Sequence, residues 1–349
     1  MPHPSFYSPM MKALRREPVP FTPIWLMRQA GRYMGEYREV RAQTGFLELC
    51  RNPELCAEVM LTAVDRLGVD AAIIFSDLLP ILQEMGMDLE FAVGEGPVIH
   101  NAIRNASRVD VLQELDDPYK LDYVYETVRK TREGLDENIP VIGFSGAPFT
   151  LASYAVEGGA SRDYARTKKM MVADAGAWDA LMSRLSRAII LYLGEQIKAG
   201  AQCVQIFDSW VGCLGVADYE KYVMPHVGHI ITTLKTEFPD TPIINFATGN
   251  PMLLPLLSRA GGDCIGADWR IELNTAWAMI GHDRAIQGNL DPLVLLASPD
   301  DFRPHVKRVL DHAASRPGHI FNLGHGIHKT TPVENVIALV KMVHEMTAK

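Results

Sequence analysis

The sequence lacks the features that mark several large classes of protein. Its formal net charge is −8 and charged residues make up 22% of the chain, so it has no positive excess for binding nucleic acid. No apolar run approaches the length that spans a bilayer, and residues 1–21 contain no apolar segment of the signal-peptide kind. We therefore expect a cytoplasmic protein that binds neither nucleic acid nor a membrane.

Motifs for metal, nucleotide and covalent chemistry are also missing. The five cysteines are an odd number and form no CxxC pair, which is typical of reduced thiols in a cytosolic protein. There is no nucleophile elbow, no phosphate-binding loop and no pair of catalytic acids. The pairs His226/His229 and His325/His328 have an HxxH spacing, but no Glu or Cys completes a ligand set beside them. We predict no metal site.

Short apolar runs alternate with longer helical stretches along the whole chain. The runs, which we predict to be strands, are residues 22–27, 70–77, 140–145, 202–208, 242–246, 264–268, 285–289 and 319–323. The helical stretches include residues 53–67, 121–135, 177–199 and 251–260. Eight such units predict an α/β fold, a (β/α)8 TIM barrel, as a single domain over residues 1–349 with 1–20 as an N-terminal extension. The competing interpretation, a doubly wound open sheet, is disfavoured because no glycine-rich dinucleotide loop follows the first strand.

Two arginines follow the first predicted strand. The run Pro23–Met27 ends in Arg28 and Arg32, separated by a turn of small residues. Each guanidinium can grip one oxyanion with two hydrogen bonds, so the pair suits a ligand with several carboxylates or phosphates. The alternative is that both arginines are solvated, or that they pair with Glu36 and Glu39.

Other predicted strands also end in polar residues. Asp77 follows the second, Tyr154 lies a turn or so beyond the residues 145–150 that end the third, Ser209 follows the fourth and His325 follows the eighth. The active site of a barrel lies at the carboxyl ends of its strands, so we predict that these residues meet around an anionic ligand. Each also has a structural alternative: Asp77 and Ser209 as helix caps, Tyr154 as a core aromatic and His325 as a buried histidine.

Seven blocks of sequence together resemble the uroporphyrinogen decarboxylase family over nearly the whole chain. They are PIWLMRQAGRY (23–33), AAIIFSDLL (71–79), VIGFSGAPFTLASYAVEGG (141–159), QIFDSWVG (205–212), GADW (266–269), QGNLDP (287–292) and NLGHGI (322–327). The resemblance implies a (β/α)8 barrel that forms a homodimer. It also implies removal of carbon dioxide from the four acetate side chains of uroporphyrinogen, a small-molecule substrate, without a metal or organic cofactor.

The site residues of the family fall on matching positions of this chain, which are Arg28, Gln29, Ala30, Gly31, Arg32, Asp77, Tyr154, Ser209 and His325. The resemblance implies that Asp77, Arg28 and Arg32 are catalytic. In it, Asp77 accepts hydrogen bonds from the pyrrole N–H groups, and Arg28 or Arg32 anchors the reacting acetate. The other residues bind peripheral carboxylates or Asp77 itself. Phe46, Phe144 and Phe149 are expected as apolar walls that exclude water.

Two departures from the family pattern lie in loops near the predicted cleft. Gly35 stands in a stretch where the family usually has proline, and His328 and Lys329 stand where it usually has an apolar residue and proline. Two rival functions remain. A zinc-dependent corrinoid:thiol methyltransferase of the same superfamily needs a His-x-Cys near the fifth strand, where this chain has Asn245–Thr248. The second is a tetrapyrrole-binding protein without turnover.

Overall fold

A computed structural model describes residues 3–92 and 96–349 of the chain. Its strands are β1 (Ala72–Ile73), β2 (Leu89–Ala92), β3 (Gly96–Ile99), β4 (Val141–Gly146), β5 (Cys203–Asp208), β6 (Ile243–Ala247), β7 (Cys264–Gly266), β8 (Ala285–Gln287) and β9 (His319–Ile320). Seven of them form one curled parallel sheet in the order β1, β4, β5, β6, β7, β8, β9, while β2 and β3 pair antiparallel with each other. Every residue of β4 and β6 is buried, as expected for a parallel sheet covered on both faces.

The two edges of this sheet are joined through the first predicted strand. Ile24 forms a parallel bridge with Phe321, just after β9, and its carbonyl accepts the N–H of Asp70, just before β1, at 2.8 Å. Segment 22–27 does not form an extended β-ladder, because side chains accept hydrogen bonds from two of its backbone N–H groups. The Ile24 N–H donates to the Asp70 carboxylate at 2.7 Å, and the Met27 N–H donates to the Asn322 side chain at 3.2 Å. The predicted α/β barrel is confirmed, with this segment in the eighth position.

Helices cover the outside of the barrel. They are α1 (Pro9–Leu14), α2 (Gly35–Gln43), α3 (Phe46–Cys50), α4 (Pro53–Leu67), α5 (Pro80–Glu84), α6 (Asp122–Gly134), α7 (Pro148–Glu157), α8 (Ala165–Ala173), α9 (Ala175–Lys198), α10 (Val216–Tyr222), α11 (Met224–Glu237), α12 (Leu254–Ala260), α13 (Leu273–Ile280), α14 (Pro299–Ala313) and α15 (Val333–Thr347). Short 3-10 helices lie at Pro4–Tyr7, Ala106–Val111, Pro118–Leu121, Val211–Cys213, Pro251–Leu253 and Pro292–Leu296.

The bounds of α4 show how the local sequence sets a helix. The Asn52 side chain accepts the Leu55 N–H at 3.0 Å, Pro53 occupies the first helical position, and Gly68 ends the helix with φ of +69°. The Asn52 side chain satisfies a free N–H of the first turn, Pro53 has a φ already suited to a helix, and Gly68 has no Cβ to clash at positive φ. The helix therefore spans the predicted 53–67, whereas predicted stretch 251–260 divides into a 3-10 turn and α12.

The N-terminal segment packs beneath the barrel. Helix α1 contacts β9, and its side chains at Met10, Met11, Ala13 and Leu14 are buried in the main hydrophobic core. The division of the chain into one domain over 1–349 with an extension at 1–20 stays a prediction. No helix within the described part of the chain is both long and apolar enough to cross a membrane.

A buried polar ladder crosses the barrel interior. The indole N–H of Trp25 donates to Gln287 Oε1 at 2.9 Å, and Gln287 Nε2 donates to Gln205 Oε1 at 3.0 Å. All three side chains are at most 1% exposed. Because water does not reach these groups, each one depends on its neighbour for a hydrogen bond.

We predict that Gln287→Leu lowers the free energy of unfolding by about 2 kcal/mol, because it leaves the Trp25 indole N–H and Gln205 Oε1 buried without partners. Urea denaturation followed by circular dichroism measures the change. The control is Gln43→Leu on the exposed end of α2, which should change stability by less than about 0.5 kcal/mol. Equal losses in the two variants would show that the ladder contributes nothing specific.

Candidate active site

The loop after segment 23–27 holds Arg28 in an unusual backbone conformation. Arg28 has φ of +63°, a left-handed value that few non-glycine residues adopt. Its side chain lies against Gly326, where an added Cβ would come within 2.5 Å of Arg28 Cδ. The glycine at 326 therefore makes the space that the Arg28 side chain occupies. Strain of this kind is found at functional sites where the surrounding structure enforces it.

Gln29 enforces the course of this loop from behind. Its buried side chain donates from Nε2 to the Ala71 carbonyl at 3.1 Å and accepts the Leu26 N–H at 3.2 Å. The Tyr33 hydroxyl donates to the Gln29 carbonyl at 2.7 Å. Gly31 fits closely, since a Cβ there would lie 3.0 Å from the Arg28 carbonyl oxygen. The side chain of Gln29 thus positions the loop, and contact of Gln29, Ala30 or Gly31 with a ligand stays a prediction.

Asp77 lies half-buried beyond the end of β1, and it does serve in part as the helix cap that was its structural alternative. Its Oδ1 accepts the Leu79 N–H at 3.0 Å, at the start of α5. Burial raises the pKa of the Asp77 carboxyl, while the Leu79 N–H and the charge of Arg28 act to lower it. A carboxylate has about four acceptor positions, so this cap leaves Asp77 able to accept further hydrogen bonds.

The charge of Arg28 connects four of the predicted residues. Besides acting on Asp77, it lowers the pKa of His325 and opposes the rise in the pKa of Tyr154, which comes from burial and from Asp77. Arg28, Asp77, Tyr154 and His325 follow four different strand positions of the barrel. The structure therefore brings these predicted site residues together within electrostatic reach of one guanidinium.

His325 is poised as a neutral hydrogen-bond donor. Burial, followed by the charges of Arg28 and Arg270, lowers the pKa of His325 to about 4, so the ring is uncharged at neutral pH. Its Nδ1 accepts the Gly326 N–H at 2.8 Å. A neutral imidazole that accepts at Nδ1 carries its proton on Nε2, and that N–H is available to an oxyanion.

Tyr154 is held by a second layer of residues after β5. Its ring stacks on Trp210 with centroids 3.7 Å apart. The Trp210 N–H donates to Thr150 Oγ1 at 3.2 Å, and Thr150 Oγ1 donates to Asp208 Oδ1 at 2.7 Å. Ser209 lies between these residues, and its carbonyl accepts from Thr248 Oγ1 at 2.8 Å. Sequence reasoning placed Asp208 at a strand end, but nothing in the chain indicated its bond to Thr150.

Phe46 lies in an aromatic group beside Asp77. Its ring is 6.3 Å from Phe75 and 5.0 Å from Phe91, and Phe75 is two residues before Asp77. Phe46 is half-buried, which leaves part of it available as an apolar wall. Phe149 is not such a wall, because it is fully buried and packs on Trp178.

Both arginines are exposed, as the solvated alternative requires, but neither forms a salt bridge with Glu36 or Glu39. Glu36 pairs with Arg66 at 3.4 Å instead. Within residues 3–92 and 96–349, neither Arg28 nor Arg32 forms a salt bridge. No carboxylate of the described part of the chain therefore occupies either guanidinium directly, which leaves both able to bind an anionic ligand.

The residues that depart from the family pattern, Gly35, His328 and Lys329, lie where the local structure places little constraint on the side chain. Gly35 is the first residue of α2, and an added Cβ would come no closer than 3.8 Å to another side chain. His328 Nδ1 is 2.8 Å from Thr330 Oγ1, and Lys329 is exposed. Among the described residues, no group of three or more His, Cys, Asp or Glu side chains is arranged to hold a metal ion. The prediction that no metal binds stays open to direct assay.

Comparison with known proteins places the chain in a family. The family model described as uroporphyrinogen decarboxylase (URO-D) matches residues 7–346. The chain belongs to the uroporphyrinogen decarboxylase family. It is 50% identical over 338 residues to the uroporphyrinogen decarboxylase of Carboxydothermus hydrogenoformans, covering 97% of this chain and 96% of that protein. It is 49% identical over 346 residues to that of Roseiflexus sp., covering 98% and 99%.

Solved structures support the fold. A methyltransferase from Methanosarcina mazei superposes with a TM-score of 0.80 at 20% identity, covering 97% of this chain and 98% of that one. A putative vitamin-B12-independent methionine synthase from Listeria monocytogenes gives a TM-score of 0.55 at 12% identity, covering 94% and 97%. At such identities the likeness concerns the barrel and not the chemistry.

The buried carboxyl of Asp208 predicts a pH-dependent stability. Burial raises the pKa of Asp208 from 3.8 to about 7, so the folded state keeps a proton that the unfolded chain releases. Its contribution to stability is complete below about pH 4 and is lost as the pH rises toward about 7. Relative to Asp208→Asn, the wild type should lose about 1–3 kcal/mol of unfolding free energy between about pH 5 and pH 8. Urea curves that run parallel for both proteins would contradict this.

Proposed function

We propose that this chain is a uroporphyrinogen decarboxylase, which converts the four acetate side chains of uroporphyrinogen III to methyl groups and gives coproporphyrinogen III. The observation that carries the proposal is that half-buried Asp77 lies within electrostatic reach of Arg28 at the carboxyl end of the barrel. Relatives at about half identity over nearly the full length bear that name. Fold alone would not support the proposal, since barrels of this kind host many reactions.

Substrate binding follows from the charges of the cleft. The substrate carries eight carboxylates, and exposed Arg28 and Arg32 offer unpaired forks to two of them. Tyr154, Ser209 and the Nε2–H of His325 supply uncharged donors for others. The protein is acidic, with a net charge of −8, so this positive field must be local to the cleft. An anionic substrate is therefore attracted to the cleft more than to the rest of the surface.

Asp77 has a distinct role at the centre of the macrocycle. Four pyrrole N–H groups converge there, and the remaining acceptor positions of one carboxylate can serve them together. The same carboxylate then holds the ring in the orientation that places an acetate beside Arg28. Apolar neighbours such as Phe46 exclude water and strengthen these interactions.

The reaction replaces each acetate carboxyl group by hydrogen. A proton added to a pyrrole ring carbon makes that ring a cation, which accepts the electron pair released when the bond between the methylene and the carboxyl carbon breaks. Carbon dioxide leaves, and a second proton at the methylene gives the methyl group. The proton first added to the ring carbon is then released, which restores the pyrrole, so each carbon dioxide released consumes one proton. Asp77 faces the positive charge that develops on the ring, so its interaction is stronger in the transition state than in the ground state, which is the requirement for catalysis.

A homodimer is part of the proposal, and it is supported by exposed apolar residues at the rim of the cleft. Exposed large apolar residues in the connections after β5, β6 and β8 are Val216, Met252, Leu293 and Leu296. Because these connections follow the carboxyl ends of parallel strands, they lie on the same face as Arg28 and Asp77. A second copy covering this face would bury them. The cytoplasmic location is likewise proposed, and it is supported by the five free thiols.

The test is an anaerobic assay with freshly reduced uroporphyrinogen III and no added metal, read by chromatography of the oxidised products. Products with seven, six, five and then four carboxyl groups support the proposal. No product with tight porphyrinogen binding would favour a binding protein. No product, no binding and stoichiometric bound zinc would favour the methyltransferase chemistry.

We predict that Asp77→Ala lowers kcat/KM by about 100-fold or more while the protein stays folded, because the transition-state cation loses its countercharge. The matched control is Asp117→Ala, which also removes an aspartate that accepts the N–H two residues ahead, at 3.0 Å, but on an exposed connection outside the cleft. The control should retain full activity. If Asp77→Ala kept a tenth of the wild-type rate, the role assigned to Asp77 would be wrong.

We also predict that Gly326→Ala lowers kcat/KM by about tenfold or more, because the new methyl group would displace the Arg28 side chain from its position against Gly326. Gly215→Ala is its control, since a Cβ at Gly215 meets no atom within 4 Å. The same assay gives both rates. Wild-type kinetics for Gly326→Ala would show that the position of Arg28 does not matter to the reaction.

A further inference from the structure

A third arginine lies on the cleft at the end of β7. Arg270 is the fourth residue after that strand, in the loop that begins with Ala267. The sheet order places β7, β8, β9, segment 23–27 and β1 in succession around the barrel. Arg270 therefore lies on the His325 side of Arg28, whereas Asp77 lies on the other side.

The guanidinium of Arg270 is fixed in one orientation. Its Cζ lies 3.9 Å from the centroid of the Trp269 ring, and its Nη1 donates to Asp268 Oδ2 at 2.6 Å. Asp268 also accepts the Arg270 N–H at 2.9 Å and the Gly249 N–H at 2.6 Å. A fork held by stacking and by a buried carboxylate loses little entropy when it binds a ligand.

This arrangement is built against the site residue His325. The Trp269 and His325 rings are 6.4 Å apart and nearly perpendicular. Gly324, the residue before His325, lies so close that an added Cβ would come within 2.3 Å of the Trp269 nitrogen. The charges of Arg28 and Arg270 both lower the pKa of His325. Arg270 and Arg28 thus both act electrostatically on His325.

The alternative is that Arg270 only forms a surface salt bridge with Asp268. Against this, Asp268 is bound by two backbone N–H groups as well, so it does not depend on Arg270 alone. Arg270 has five N–H donors, and only its Nη1 forms a side-chain hydrogen bond within the described residues. The side chain is 44% exposed, so its remaining N–H donors are accessible to a ligand.

We propose that Arg270 is a carboxylate-binding residue of the cleft, which holds a peripheral carboxylate of the tetrapyrrole on the His325 side and is presented by Trp269 and Asp268. The inference rests on the proposed function for the identity of the ligand. Arg270 contributes to substrate affinity and not to the chemical step, because Asp77 lies on the far side of Arg28.

The test compares KM and kcat for uroporphyrinogen III, together with its Kd by anaerobic equilibrium dialysis. Arg270→Ala should raise KM and Kd by about 5- to 10-fold, as expected for a partly exposed charge-assisted bond, and leave kcat within about twofold. Arg270→Lys should lie between this variant and the wild type. The lysine variant keeps the positive charge but loses the planar group that stacks on Trp269. If Arg270→Ala does not fold, the KM and Kd of Arg270→Lys serve as the test.

The matched control is Arg259→Ala on α12, whose guanidinium pairs with Glu220 at 2.7 Å on the outside of the barrel. It should leave KM and Kd unchanged. An unchanged KM in Arg270→Ala, a lower kcat at constant KM, or equal effects in the control would overturn the inference. A wild type that binds uroporphyrinogen without turnover, with Kd raised in Arg270→Ala, would overturn the proposed function and leave this inference standing.

Discussion

The site depends on the way in which the chain turns at Arg28. Segment 23–27 joins the two edges of the sheet, and the chain then enters a left-handed conformation at Arg28, with φ of +63°. Gln29 holds this turn from behind through the Ala71 carbonyl, and Gly326 leaves the room that the Arg28 side chain fills. Backbone strain of about 1–3 kcal/mol is thus accepted at Arg28, whose side chain lies against Gly326 at the carboxyl end of the barrel.

The electrostatics of the cleft follow from that placement. One guanidinium acts at once on Asp77, Tyr154 and His325. It favours the charged form of Asp77, which burial opposes. Together with burial, which is the larger cause, it lowers the pKa of His325 and so favours the neutral ring. The cleft therefore offers a carboxylate, a cation and neutral donors side by side. This combination fits a ligand that is acidic at its rim and rich in N–H groups at its centre, although the protein as a whole is acidic.

The sequence was sufficient to predict the barrel and the residues at its strand ends, because both depend on local patterns. Apolar runs followed by Arg28, Asp77 and His325 reflect the fixed geometry of parallel strands. What it did not reveal depends on contacts between distant segments. The stacking of Tyr154 on Trp210, the bond from Thr150 to Asp208 and the contact of Trp269 with His325 join residues that are far apart in the sequence. The structural use of Gln29 was hidden for the same reason, since a buried amide and a ligand-binding amide look alike in a sequence.

The most direct test of the account is a crystal structure of the protein with coproporphyrinogen bound under anaerobic conditions. The central claim is that Asp77 receives the pyrrole N–H groups while Arg28 holds a carboxylate beside it. The account predicts pyrrole nitrogens within about 3 Å of an Asp77 oxygen, as in ordinary N–H···O bonds, and a side-chain carboxylate on Arg28. A macrocycle bound with Asp77 outside hydrogen-bonding distance of every pyrrole nitrogen would contradict it.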